Sequence, residues 1–282
     1  MKIFFSPECL EYTQPGHPES AERIRSIYDC LKQNHFKFVL PTPCSDEDIL
    51  RVHTEALLTS VKYNTFFDVD TPNLPDIYQY ALLSAGSAIL ACEAAAEGEI
   101  TFSLMRPPGH HATRNRVMGF CYFNNIAVAV AKYLEKNPEK QVAILDIDCH
   151  HGNGTQDIFF RTANVLYVSL HQVPLFPGTG LRSSENAINY PLPVGTSGSD
   201  YLNILENACQ TIADRDPSLI GISAGFDTYR EDPLSQMELE TTTFGKMGRM
   251  IANLAKPVFM VMEGGYSANV PQCVLEFLQG CE

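Results

Sequence analysis

The stretch Val142–Gly154, VAILDIDCHHGNG, decides how the rest of the chain is read. Its apolar run Val142–Ile147 is too short for a helix that stands alone and lacks the clean alternation of a half-exposed strand. It therefore reads as a strand buried on both faces. Directly after the run come Asp148 and His150, two residues apart, which point the same way if the backbone stays extended. In an open α/β sheet, the carboxyl ends of such strands are where ligands bind.

The same pattern recurs along the chain. Ile100–Met105, Val165–Leu170, Leu219–Ser223 and Val258–Met262 read as four more buried strands, and Lys2–Phe5 as an initial one. Apolar residues at helical spacing predict helices over 20–33, 45–63, 76–96, 124–135, 200–215 and 242–254. This alternation predicts one α/β domain over residues 1–282, a mostly parallel multi-stranded sheet with helices on both faces. No repeat, low-complexity tract or flexible linker divides it. His110 and His111 follow the strand at 100–105, Asp227 follows 219–223 and Tyr266 follows 258–262, so these residues are expected to converge with Asp148 and His150 on one edge.

Composition narrows the partners. With 45% hydrophobic residues in 282, the chain can bury a large core. The 20 Lys and Arg stand against 33 Asp and Glu, a net charge of −13, which makes nucleic acid and anionic membranes poor direct partners. No apolar run is long enough for a membrane span and no secretory leader is evident, so a soluble chain is expected. Nine scattered cysteines without a Cys-x-x-Cys pair read as reduced thiols of a cytoplasmic protein. Nothing here sets an oligomeric state.

Asp148, His150 and Asp227 make a donor set of two carboxylates and one imidazole, suited to a divalent ion such as Zn²⁺ with a position open for water or substrate. Read one by one, the aspartates are loop caps and His150 is a buried, hydrogen-bonded histidine; their coincidence on one edge favours the metal. Arg106-Pro-Pro-Gly-His-His111 holds two histidines in a stiff loop, where neutral imidazole can take a proton, bind a metal or simply pack. Asp146 and Asn153 are placed to orient them through the second ring nitrogen. Tyr266, after two glycines, can donate to a developing oxyanion or be an ordinary packed tyrosine. His35 reads as a solvated helix end, His53 as a core histidine and His171 as structural. Cys121 and Cys149 read as packing residues with no ligand-like partner. Gly152-Asn-Gly154 lacks the order of a phosphate loop.

The strings RPPGHHA (106–112), GFCYFNN (119–125), ILDIDCHHGNGTQ (144–156), YVSLHQ (167–172), FPGTG (176–180), SAGFDTYREDPL (223–234) and EGGY (263–266) resemble the zinc-dependent histone deacetylase superfamily. They follow the family's order, and HPESAERI at 17–24 looks like its opening motif. The set is closer to the class II, bacterial deacetylase-like and acetylpolyamine amidohydrolase branches than to class I. The resemblance implies an arginase/deacetylase-like fold, one Zn²⁺ on Asp148, His150 and Asp227, His111 as general base and then acid, His110 as its electrostatic companion, and Tyr266 on the acyl oxygen. It also implies an acyl-lysine channel walled by Phe120 and Phe176 with backbone from Gly119. Arg23 falls at an internal cavity, Asp70 at the rim, and a structural K⁺ near Asp146, Asp148, His150, Ser169 and Leu170.

Three departures qualify the match. Asn153 stands where class I enzymes carry Asp, and Leu234 stands where one branch of polyamine specialists carries an acidic gatekeeper. The brief loops between 64 and 100 and the short segment after Tyr266 imply a compact domain with an open rim. The expected activity is hydrolysis of Nε-acyl-lysine, in a peptide or protein, with acetylpolyamine deacetylation as the alternative. Further rivals are an arginase-like ureohydrolase, which needs two Mn²⁺ and more carboxylates, and a silent acyl-lysine reader.

Overall fold

The buried runs become the central strands of a single sheet. The computed structural model describes residues 1–282. Strand β1 (Lys2–Phe4) leads through a 3₁₀ turn at Pro7–Leu10 to α1 (Ala21–Gln33), β2 (Lys37–Val39), α2 (Asp46–Leu50), α3 (Glu55–Lys62) and α4 (Ile77–Ala96). Next come β3 (Thr101–Ser103), α5 (Asn125–Lys136), β4 (Val142–Asp146), α6 (Asn153–Phe159), β5 (Val165–Val173) and β6 (Ala187–Pro193). The chain then runs through α7 (Gly198–Ala213), β7 (Leu219–Ala224), α8 (Thr241–Ala252), β8 (Val258–Met262) and α9 (Val270–Cys281). All eight strands are parallel, in the order β2-β1-β3-β8-β7-β4-β5-β6. The mostly parallel sheet of the sequence reading is thus entirely parallel.

Alternate residues of the inner strands feed two separate cores, as the two-residue repeat of a strand requires. On β4, Ala143 and Leu145 join one face with Ile24 and Ile27 of α1, Tyr201 of α7 and Phe244 of α8. Val142 and Ile144 join the other with the alanines of α4 and with Ile126 and Val130 of α5. Helices therefore cover both faces. No helix is long and apolar enough to cross a membrane.

Several expected boundaries move. The helix expected over 45–63 is two: α2 stops at Leu50, and Thr54 restarts the chain as a cap whose hydroxyl accepts from the Leu57 N–H. Between them His53 turns into the core, donating from Nδ1 to Thr113 O (2.9 Å) while Nε2 accepts from the Asn124 N–H (2.9 Å). The strand at 100–105 shortens to Thr101–Ser103, and β2, β6, α6 and α9 were not expected at all. Strand β6 carries Pro191 and Pro193 at the sheet edge, where missing N–H donors are tolerated.

Candidate metal centre and substrate cleft

Strand order positions the site. From β4 the chain steps outward to β5 and β6, then returns to the far side of β4 to form β7, so the carboxyl ends of β4 and β7 flank a topological switch point. Loops diverge there and leave a crevice. Asp148 and His150 follow β4, and Asp227 follows β7. Across the next two strands, Tyr266 follows β8 and the His110–His111 loop follows β3.

His150 Nδ1 lies 3.0 Å from Asp148 Oδ1 and 2.9 Å from Asp227 Oδ2. Ligand-type atoms of Asp148, Cys149, His150 and Asp227 all fall within 4.8 Å of one another. Both carboxylates are buried. Burial opposes charge on His150, yet Asp148 and Asp227 outweigh it and raise its pKa to about 10. Burial also opposes ionised Asp148, but His110 and His150 hold its carboxyl well below the usual range; Asp227, buried beside that charge, is pushed up. The pocket thus favours positive charge where three donor atoms meet, and oxygen and nitrogen donors so close together fit a small divalent cation. Gly264 permits the approach: its N–H donates to Asp148 Oδ2 (2.8 Å), and a Cβ there would sit 2.5 Å from both Asp148 Oδ2 and Asp227 Oδ2.

Cys149 corrects the sequence reading. Its Sγ lies 3.2 Å from His150 Nδ1, inside the donor cluster rather than without a partner. Burial and the neighbouring aspartates push the thiol well above its ordinary value, so it stays a thiol, and its amide N–H donates to Asp227 Oδ1 (2.7 Å).

The two loop histidines are driven apart electrostatically. His110 Nδ1 meets Asp146 Oδ2 at 3.0 Å; burial works against its charge, but Asp146, Asp148 and Glu263 overcome it and raise its pKa well above 6.5. His111 Nδ1 donates to Asn153 Oδ1 at 2.8 Å, which leaves Nε2 as the acceptor nitrogen. Burial, then the charges of His110 and His150, push His111 well below 6.5. One ring is held charged and its neighbour neutral. Asp146 also accepts from the Tyr167 hydroxyl (3.0 Å) and pairs in register with Ser169 of β5. The residues expected near K⁺ (Asp146, Asp148, His150, Ser169, Leu170) therefore lie on adjoining chain segments.

A cavity of about 250 Å³ opens over this floor, lined by Gly119, Phe120, Phe176, Leu234 and Tyr266 with Asp70 at its mouth. Gly119 adopts φ 54°, and a Cβ there would press to 2.5 Å from His111 Cδ2. Phe120 meets the edge of Tyr266 (5.9 Å), and Phe176 that of His111 (5.1 Å). Burial pushes the Tyr266 phenol well above 10, so it remains a donor. Arg23 lies over its ring at 5.2 Å and donates to Glu263 O (2.8 Å). His171 sits in β5 between Ser169 Oγ (2.9 Å) and Gly180 O (3.1 Å), outside the cleft.

Sequence reasoning missed the supports. Asp232 accepts from the Tyr266 N–H (2.6 Å) and the Leu234 N–H (2.9 Å). Thr71 Oγ1 accepts from the Phe120 N–H (3.0 Å), and His17 donates to Asp70 O (3.1 Å) while standing edge-on to Phe120. Only Asp232 left a legible trace: Asp-Pro-Leu is the form of an Asx turn.

Comparison with known proteins follows the same lines. A family model of the histone deacetylase domain matches residues 17–281. A probable deacetylase of Archaeoglobus fulgidus is 37% identical over 95% of this chain and 81% of its own length. Acetylpolyamine amidohydrolase 1 of Pseudomonas aeruginosa is 39% identical over 80% of this chain and 68% of its own. The crystal structure of acetylpolyamine aminohydrolase from Burkholderia pseudomallei superposes with a TM-score of 0.92 at 27% identity, covering 99% of this chain and 98% of that one.

Proposed function

Because this chain belongs to the histone deacetylase family and is a hydrolytic deacetylase, we propose that it cleaves Nε-acyl-lysine, with one Zn²⁺ held by Asp148, His150 and Asp227. The observation that carries the reading is the pairing of a charged His110 with a neutral His111 at the floor of an aromatic-walled cleft, beside three converging metal-type donors. A bound zinc supplies Lewis acidity toward an acyl oxygen and acidifies a water.

The chain's own groups do the rest. His111 takes the attacking water's proton at Nε2 and later delivers it to the leaving amine as the C–N bond breaks. His110, held charged by Asp146, stabilises the negative charge that develops nearby. The Tyr266 hydroxyl donates to the acyl oxygen, and Phe120 and Phe176 exclude water from the aliphatic stem. Asp70 meets the substrate backbone at the rim, Arg23 serves the internal cavity for the released acid, and a K⁺ supports the floor. The nine free cysteines fit a reducing, cytoplasmic setting.

Acetylpolyamine deacetylation is the second reading, favoured by the relatives named for that activity. Leu234 at the cleft, where one branch of polyamine specialists carries an acidic gatekeeper, argues against a specialist of that kind, and Asp70 is the carboxylate at the mouth. Purified protein assayed on acetyl-lysine peptide, acetylputrescine and acetylspermidine, with zinc and with chelator, decides. Preference for the peptide with loss under chelator is expected; faster polyamine turnover refutes the substrate, and chelator-resistant turnover refutes the metal.

A further inference from the structure

The loop bearing His110 and His111 is held from two sides. Its carbonyls face three helices: Gly154 and Thr155 N–H groups at the start of α6 donate to His110 O (3.1 Å each), and the Ser84 hydroxyl in the middle of α4 and the Asn125 side-chain amide at the start of α5 donate to Pro107 O. Two of its N–H groups face the other way and meet one side chain. Glu263 Oε2 accepts from Gly109 N–H at 2.7 Å and from His110 N–H at 3.1 Å. Glu263 Oε1 accepts from the Ser223 hydroxyl at 3.3 Å.

Glu263 is wholly buried and forms no ion pair with Lys or Arg; Arg23 bonds its main-chain carbonyl instead. A carboxyl kept in so dry a place needs a compensating task. Both N–H groups are buried with it, and an orphaned buried N–H is costly, so the loop's conformation depends on this acceptor. Glu263 also lies three residues before Tyr266 on the same segment.

We propose that Glu263 is a positioning residue that fixes the histidine loop against the tyrosine segment, its Oε2 clamping the Gly109–His110 backbone while its own chain carries Tyr266. This rests on the deacetylase mechanism above, in which His111 and Tyr266 act on one acyl group. Proton transfer and oxyanion donation both demand sub-ångström placement, and a slip of about 1 Å can cost on the order of 10²-fold. A glutamine, whose amide oxygen can accept both N–H bonds while its NH₂ turns to Ser223, should therefore replace it better than an apolar residue.

The test compares Glu263→Leu, Glu263→Gln and Ser223→Ala in the whole zinc-loaded protein. For Glu263→Leu, kcat on acetyl-lysine peptide should fall about 10²-fold with KM within about threefold and metal content unchanged. Glu263→Gln should stay within about tenfold of wild type, and hydrogen exchange at Gly109 and His110 should accelerate in the leucine variant alone. If the leucine variant does not fold, Ser223→Ala, which only frees the carboxylate's second oxygen, should still lower kcat about threefold or more with KM unchanged. The proposal is overturned by a folded leucine variant with wild-type kcat, by a glutamine variant as poor as leucine, by losses matched to lost metal, or by an inert Ser223→Ala. A wild-type protein that turns over no acylated amine refutes the deacetylase reading instead, and exchange at Gly109 and His110 then decides the clamp by itself.

Discussion

Replacing Asn153 by Asp puts a carboxylate behind the neutral histidine. Asn153 Oδ1 receives the His111 Nδ1 proton at 2.8 Å, and His111 is otherwise held well below 6.5 by burial and by the charges of His110 and His150. A full negative charge about 4 Å from the ring centre is worth about 4 kcal/mol to an imidazolium at an effective dielectric near 20. Asn153 is only partly buried, so solvent takes a share, and a carboxylate beside a cation typically moves a pKa by about 1 to 3. The direction is upward. His111 Nε2 then stays protonated over a wider acid range, and the acid limb of the kcat/KM profile should move about 1 to 3 toward higher pH. Profiles of wild type and Asn153→Asp on acetyl-lysine peptide, from about pH 5 to 9 with metal content checked at each end, provide the assay. An acid limb within about 0.3 of wild type in a fully metallated variant refutes His111 as the base steered through Asn153.

Other expectations are independent of that one. Tyr266→Phe deletes the hydroxyl and should lower kcat about 10²–10³-fold with little change in KM or bound zinc; near-normal turnover removes the phenol from the mechanism. Gly264→Ala drives a methyl to 2.5 Å from Asp148 Oδ2 and Asp227 Oδ2, so equilibrium dialysis should show zinc affinity lowered tenfold or more, on the order of 10–100-fold as for disturbed ligand supports; unchanged affinity contradicts the proposed ligand set. His53 has a folded pKa of about 4 against 6.5 when unfolded, burial being the main cause. The unfolded state therefore binds the extra proton: His53's contribution is whole above pH 6.5 and is lost as pH falls toward about 4, amounting to about 3 kcal/mol. Urea unfolding across that window should show this slope in wild type and a flatter one in His53→Gln; parallel slopes reject it.

Strands buried on both faces were legible because short runs such as Val142–Ile147 alternate along the chain with longer stretches of helical spacing. The edges were not. Lys37–Val39 is three residues with an exposed, interrupted pattern, and Ala187–Pro193 contains two prolines that argue against a strand until its edge position is known. In the site, the residues proposed to meet metal or substrate stood out because they follow strand ends. Their supports did not: Glu263, Asp232 and Thr71 work by accepting main-chain N–H bonds, a task with no spacing rule and no preferred neighbour. The break at His53 was hidden for a related reason: His53 reads as a core histidine, but nothing in its spacing shows that its two nitrogens hold main-chain groups of two other loops.

The all-parallel order with its return across β4 also has a consequence in time. Asp227 follows His150 by 77 residues, and the two meet only when β7 docks beside β4. At roughly 5–20 residues per second of synthesis, about 4–15 s separate their emergence from a ribosome. During that interval Asp148 and His150 stand without the third proposed ligand. If Asp148, His150 and Asp227 hold the metal as proposed, its loading waits for closure of long chain loops and pairing of distant strands, and a fragment ending before β7 lacks one of the three proposed ligands.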